Sequence, residues 1–334
     1  MQELNEEQRR IAANIGQVYD VWREASVART QMPRYMMWKP VNGTNYLYVA
    51  NPIEKSKGRE SDDTRKTYEE FSSLRDALEA RIAGARDKLK SLAAQYRAIR
   101  LPMVMALPAR ILQEMDLRGV LSSHFLVVGS LAMPAYEIEA GARLFAGLDE
   151  TEDFDLSRTG RLSLSSLGNE ENDSLLRIAK GVDTSFDVSP FSPQKIVNKK
   201  AFEIDVLCSR GDHFKVDVGD KQRIFGGRVV PIELEGQDIL HLGNSIRHII
   251  MGRDGVVAPL CVPDPRFMAI HKQWLSKRED RSSLKRGKDQ KQARVLWDAC
   301  KNGLMFGHPI NDDFLHTIPD EWRIPTAELD SGVS

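Results

Sequence analysis

"VVGSLAMPAYE", residues 127–137, places two small residues, Gly129 and Ser130, between a β-branched pair and a run of helical character. Val127 and Val128 read as the end of a buried strand, and Leu131–Glu137 as the start of a helix. A glycine at such a handover lets a ligand or another chain segment come close to backbone. The helix behind it offers free N–H groups and a positive dipole end to an anion. Ser130 can cap the helix or give its hydroxyl to a phosphate. Pro134 falls in or near the first turn, where a missing N–H costs little. A plain tight turn with a serine cap has the same pattern, so the stretch acquires meaning only from what accompanies it. It is neither GxxxxGK[ST] nor GxGxxG.

What accompanies it is a set of acids on short strands. "DFDLS" (153–157) carries Asp153 and Asp155. Residues two apart on a strand share a face, so both carboxylates project together. Carboxylates that close repel unless a cation neutralises them. Magnesium, which takes oxygen ligands and keeps waters and substrate phosphates in its shell, suits such a pair. Two solvated acids at a strand end would look the same. "AFEIDVLC" (201–208) sharpens the choice, because Asp205 sits inside an apolar strand and buried acids are paired or metal-bound. A third carboxylate would complete a two-metal phosphoryl-transfer site. Glu203 is a weaker rival for that role, and Asp217 in "HFKVDVG" (213–219) is the runner-up.

Around this nucleus the chain has 334 residues, 41% of them apolar, 28% charged, with a net charge of −1. That composition is ordinary for a soluble globular protein and gives no overall nucleic-acid or membrane signal. No apolar run approaches the roughly 20 residues of a membrane span. The polar start, MQELNEEQRR, does not read as a secretory signal. Cys208, Cys261 and Cys300 are isolated, with no CxxC, which fits a reducing cytoplasm.

Helices are expected over 4–27, 65–99, 103–121 and from 264 to about 303, with the tail (304–334) irregular. The longest, 65–99, carries an apolar stripe of Phe71, Leu74, Leu78, Ile82, Ala85, Leu89, Leu92, Tyr96 and Ile99. Packing on its own domain is the simpler reading of the stripe; self-association or a protein partner is the other. Asp63 or Thr64 is its expected cap. Strands are expected at "NYLYVAN" (45–51), at 153–157, 201–208 and 213–219, and in "GRVVPIEL" (227–234) and "GVVAPLCV" (255–262). The stretch around Pro33, Pro40 and Gly43 reads as irregular, and 54–64 and 163–174 as polar loops. Short strands among helices point to an α/β or α+β core.

Basic residues gather towards the C-terminus: Lys277, Arg278, Arg281, Lys285, Arg286, Lys288, Lys291 and Arg294, with Asp289 among them. Most read as a solvated helix face, although the same patch could hold triphosphate or an RNA backbone. Lys272 stands apart because Phe267, Ile270 and Trp274 surround it on an apolar helix. His271 has no partner at metal-ligand spacing and reads as structural.

With these residues in hand, the chain resembles the nucleotidyltransferases of the DNA polymerase β-like superfamily. The resemblance rests on Gly129-Ser130 opening a helix, Asp153-Phe154-Asp155 on a strand, and Ile204-Asp205-Val206 on another, in that order. More narrowly, it is similar to a bacterial subgroup with a long helical N-terminal region. "VPDPRFMAIHKQWLSKR…KRGKDQKQA" is similar to the C-terminal block of abortive-infection type nucleotidyltransferase toxins. The spacer between Ser130 and Asp153 is longer than the compact signature, and Pro134 departs from it.

The resemblance implies an α+β fold: a polymerase β-like core, a small mixed sheet with flanking helices, plus helical N-terminal and C-terminal regions, divided as 1–100, 101–262 and 263–334. It implies a cytoplasmic enzyme that moves a nucleoside monophosphate from a triphosphate such as ATP to a hydroxyl acceptor, in a defence or toxin setting. Asp153, Asp155 and Asp205 would hold two magnesium ions, with manganese as a substitute. Gly129 and Ser130 would hold the β- and γ-phosphates. Lys272 and Lys288 would neutralise charge, with Asp289 orienting one of them. The acceptor stays open among a tRNA end, a protein side chain, an antibiotic and another nucleotide, and the basic C-terminal helices tilt the choice slightly towards RNA. A module on the same fold that binds a nucleotide or partner without catalysis is the alternative; a one-metal D-x-D glycosyltransferase is disfavoured by Asp205.

Overall fold

The computed structural model of the protein describes residues 2–51, 53–145, 154–158, 174–210 and 229–331. Asp153, Asp217, the expected strand 213–219 and residues 163–173 lie outside these. The chain folds as two compact units, one of residues 1–12 with 96–334 and one of residues 13–95. The segments 101–262 and 263–334 thus belong to the same unit.

The smaller unit holds most of two helices, α1 (Glu6–Gln31) and α2 (Asp62–Ala98), around a three-stranded meander. The meander runs β1 (Tyr35–Val41), β2 (Thr44–Asn51) and β3 (Ile53–Arg59), each antiparallel to the next. Here two sequence expectations are corrected: neither 33–43 nor 54–59 is irregular. Asn42 and Gly43 both have positive φ (50° and 76°). That is the two-residue hairpin turn for which Asn-Gly is the strongest short signal. The outer strands β1 and β3 escaped notice, β3 because it is rich in charge, as edge strands often are, and β1 because Pro33 precedes it and Pro40 interrupts it. Pro40 is tolerated because β1 pairs on one side only. The cap of α2 also differs from expectation. Ser61 Oγ accepts from Thr64 N (3.3 Å) while Thr64 Oγ1 accepts from Ser61 N (2.9 Å). The α2 stripe is largely buried, apart from Leu74, which is 53% exposed.

The larger unit is built on a mixed sheet. Its strands are β4 (Phe125–Val127), β5 (Phe154–Arg158), β6 (Asp187–Val188), β7 (Lys195–Val197), β8 (Glu203–Ser209) and β9 (Ile232–Leu234), in spatial order β4-β5-β8-β7-β6. β9 pairs with the second half of β8. β5 and β8 run parallel; β4–β5 and β7–β8 are antiparallel. One face of the central pair is Phe154, Leu156, Ile204 and Val206, all nearly or fully buried. Fully burying side chains of this size stabilises by about 1.5–3 kcal/mol each.

Flanking helices cover that core: α3 (Ala106–Leu117), α4 (Met133–Ala140), α5 (Leu175–Val182), α6 (Pro265–Lys277) and α7 (Ser283–Lys301). With the sheet they make a mixed α+β protein. A hairpin of β10 (Ile246–Gly252) and β11 (Val257–Val262) packs against α3 and α4. The helix expected over 103–121 is shorter, because Met103–Val104 pairs with β10 instead. The tail is not irregular: α8 (Asp312–His316) and α9 (Arg323–Ser331) form there, since Phe314, Trp322 and Leu329 are buried in the core.

The helix that carries Lys272 begins at a fully buried cap. Asp264 accepts from Arg266 N (3.0 Å), the Arg266 guanidinium (2.8 and 3.0 Å) and Asn244 N (3.1 Å), and meets His308 Nδ1 at 3.3 Å. Burial pushes its carboxyl up, but the His308, Arg266 and Asn244 interactions outweigh that and hold it at about 2. A carboxylate held below its unfolded value stabilises fully above that value, 3.8, and less as pH falls towards 2. We therefore expect Asp264→Asn to flatten the unfolding free energy between pH 4 and 2 by about 2 kcal/mol. Urea titrations across that window measure it, and an unchanged profile would overturn the role given to the cap.

Candidate functional site

The parallel register of β5 and β8 pairs Ile204 with Phe154, Asp205 with Asp155 and Val206 with Leu156. Alternation then turns the apolar partners to one face and both carboxylates to the other. Adjacent strands lie roughly 4.8 Å apart, so the two acids are neighbours. Both are half-buried and both border one cavity of about 400 Å³.

Gly129 borders the same cavity, with φ +71°. A Cβ built there would stand 2.7 Å from Asp155 Oδ2. Glycine is needed both for the left-handed backbone and for the carboxylate that lies against it. Its clearance thus first serves Asp155. Residues Gly129–Ala132 form a 3-10 turn leading into α4, and Pro134 sits in the first turn of that helix. Ser130 is not a helix cap, because no side-chain capping bond forms there. Its Oγ instead accepts from Nε2 of the buried Gln292, at 3.2 Å.

Across the cavity stand α6 and α7. Lys272, 2% exposed, donates to Asp289 Oδ1 at 2.8 Å, and Arg281 Nε donates to the other oxygen of the same carboxylate. Asp289 is itself 2% exposed. One buried acid therefore aims two cations, and the trio keeps a net positive charge. Lys272 and Arg281 border the cavity, as do Arg278 and Lys285. Lys288 does not, although it adjoins Asp289 in α7.

Lys195, Gln237 and Gln292 escaped the sequence reading. Lys195 on β7 pairs across the strands with Asp205. Its ammonium lies 3.4 Å from Asp205 Oδ1 and also bonds the Glu203 carboxylate. The Glu203 bond, then the Asp205 charge, raise its pKa despite partial burial. Gln237 holds Ser157 Oγ at 3.0 Å. Trp274 lines the cavity wall with the Arg278 guanidinium 4.7 Å from its ring centre. Nothing in the local sequence around Lys195 or Gln292 marks either, since each reaches the site through a long-range pairing. His271 also borders the cavity; burial first, then the Lys272 charge, lowers its pKa to about 3, so it is neutral near pH 7.

Asp155 and Asp205 fit a hard cation by donor chemistry, being carboxylates on neighbouring strands. Among the described residues no cluster of three or more His, Cys, Asp or Glu side chains could hold a metal ion. Asp153 lies outside those residues.

Acids and clustered cations lining one cavity suit a polyanion and its counter-cation. That chemistry agrees with the comparison of families: the model described as Nucleotidyltransferase matches residues 107–314, and the chain belongs to that family. The match takes in Gly129, both described acids, Lys272, Arg281 and Asp289. No curated protein and no solved structure matches the chain. Among the described residues no helix is long and apolar enough to cross a membrane.

Two substitutions test this geometry. Gly129→Ala should cost about 1–2 kcal/mol from the left-handed backbone alone and displace the Asp155 carboxylate. Urea unfolding and a crystal structure of the variant check both, and an undisturbed Asp155 would refute the close approach. Asp289→Asn should destabilise by about 3–5 kcal/mol, because it strands a buried ammonium. Arg281→Gln, at the half-exposed rim, should cost no more than about 1 kcal/mol. Similar losses for the two would place the charge balance elsewhere.

Proposed function

We propose that the protein transfers a nucleoside monophosphate from a nucleoside triphosphate to a hydroxyl acceptor, in a polymerase β-like site centred on Asp155 and Asp205. The observation that carries this reading is the register that sets those carboxylates side by side, facing Lys272 and Arg281, in a chain of the nucleotidyltransferase family. Asp153, two residues before Asp155, joins the acidic set in this reading.

Asp155 and Asp205, with Asp153, would hold magnesium or manganese. The metal would supply Lewis-acid neutralisation of phosphate charge. The chain's own residues do the rest. Lys272 and Arg281, fixed by Asp289, hold the polyphosphate by charge. Arg278 and Lys285 at the rim add to this, and Lys288 adds at longer range. Gly129 and Ser130, steadied by Gln292, offer backbone N–H groups to the β- and γ-phosphates. The acceptor oxygen attacks the α-phosphorus while the bond to the bridging oxygen of pyrophosphate breaks. The acceptor proton passes to a carboxylate oxygen of Asp205, and pyrophosphate leaves with the electron pair. Positioning and charge stabilisation dominate such transfers. The basic face of α7 supports RNA as the first acceptor to test, and the resemblance to abortive-infection type toxins supports a defence role.

The test is incubation of the pure protein with each α-labelled triphosphate, magnesium and cell extract, fractionated into RNA and protein. Label should appear in one fraction, and Asp155→Asn or Asp205→Asn should lower it by about 10²-fold or more. Labelling that survives both substitutions, or none with any triphosphate, would overturn the proposal.

A further inference from the structure

The meander of the smaller unit has two unlike faces. Met36, Trp38, Leu47 and Val49 share one; Leu47 and Val49 are buried, and the Trp38 ring lies 5.9 Å from that of Tyr68 on α2. The strand pairings lay out the other face in rows. Lys39, Tyr46 and Arg59 form one row; Met37, Tyr48 and Ser56 the next; Tyr35, Ala50 and Glu54 the third. Thr44 lies on the same face, beyond Tyr46. Two tyrosines therefore stand in line on the central strand, both half-buried. Lys39 Nζ lies 5.0 Å from the Tyr48 ring centre, and the Arg59 guanidinium lies 6.0 Å from that of Tyr46, its Nε bonding the hydroxyl at 3.0 Å.

Charge on this segment is lopsided. Residues 34–59 hold Arg34, Lys39, Lys55, Lys57 and Arg59 against one acid, Glu54, in a chain whose net charge is −1. Glu54 is taken by Lys39 (2.6 Å) and the Tyr35 hydroxyl (2.6 Å). Arg34, Lys55, Lys57 and Arg59 form no ion pair with an acid among the described residues. Of these, Arg59 shares the face of the tyrosines, Lys57 falls in the bulge between Ser56 and Gly58, and Lys55 lies opposite Val49 on the other face. Aligned tyrosines with Lys39, Lys57 and Arg59 beside them answer to an anionic strand with π-faced units. We infer that this face binds single-stranded RNA, with bases stacking on Tyr46 and Tyr48 and phosphates on the surrounding Lys and Arg side chains. Lys39 and Arg59 move off the Tyr48 and Tyr46 rings to phosphates as bases take their places, and Lys39 releases Glu54 in doing so. The hydroxyls of Thr44, Ser56 and the tyrosines lie within the same face, where a ribose 2′-OH offers both donor and acceptor. A lipid surface would use the cations but not the ordered rings.

The surface is separate from the nucleotidyl-transfer reading, so the test omits triphosphate and metal. Anisotropy of a labelled, unstructured 12-nucleotide RNA is measured with the full chain at several salt concentrations. Tyr46→Ala with Tyr48→Ala should weaken binding by about tenfold or more. Lys57→Glu, at an exposed site whose fold does not depend on it, should weaken binding and reduce its salt dependence. The DNA of equal sequence should bind more weakly, and anionic phospholipid vesicles should not retain the protein. Affinity indifferent to both the tyrosines and Lys57, equal affinity for DNA, or vesicle binding without RNA binding would each overturn the inference.

Discussion

The alignment of β5 on β8 is the constraint on which the rest of the site depends. Strand side chains alternate with period two, so a slip of one residue would turn Asp155 and Asp205 into the core and Phe154 and Ile204 into the cleft. Burial of Phe154, Leu156, Ile204 and Val206 forbids that slip. The apolar face therefore sets the positions of the acids. Lys195 from the neighbouring strand meets the charge of Asp205, and the Asp155 carboxylate lies where only a glycine at 129 leaves room.

The opposing wall obeys a different economy. A buried ammonium is costly unless paired. Asp289 offsets the burial of Lys272 and shares itself with Arg281, so two cations are held by one acid and charge is left over for a ligand. The cap at Asp264 anchors the helix from which Lys272 projects. His271 beside it stays neutral, so it adds a polar ring to the cavity without adding charge.

Much of this was legible in the chain itself. Asp205 inside an apolar run, Lys272 on an apolar helix face and Gly129 at a strand-to-helix handover are local contradictions, and such contradictions mark functional positions. The core α+β character and the long helix also followed from periodicity. The outer strands of the meander did not, although Asn42-Gly43 is a plain hairpin signal, because β3 is as polar as a loop and Pro40 interrupts β1. The C-terminal tail misled for the opposite reason: its apolar residues are too sparse for a periodic pattern, yet Phe314, Trp322 and Leu329 bury against elements far away in sequence.

By itself, then, the sequence determined which residues are out of place among their neighbours, since the cost of burying charge and the needs of backbone at a tight turn are local. Only the tertiary structure decided how those residues meet. It set Asp155 beside Asp205 and brought Lys195 to them. It made Asp289 the shared partner of Lys272 and Arg281, and gave Ser130 to Gln292 rather than to a helix cap. These are pairings between strands and helices distant along the chain. Their register comes from packing the whole apolar face at once, which no local pattern encodes.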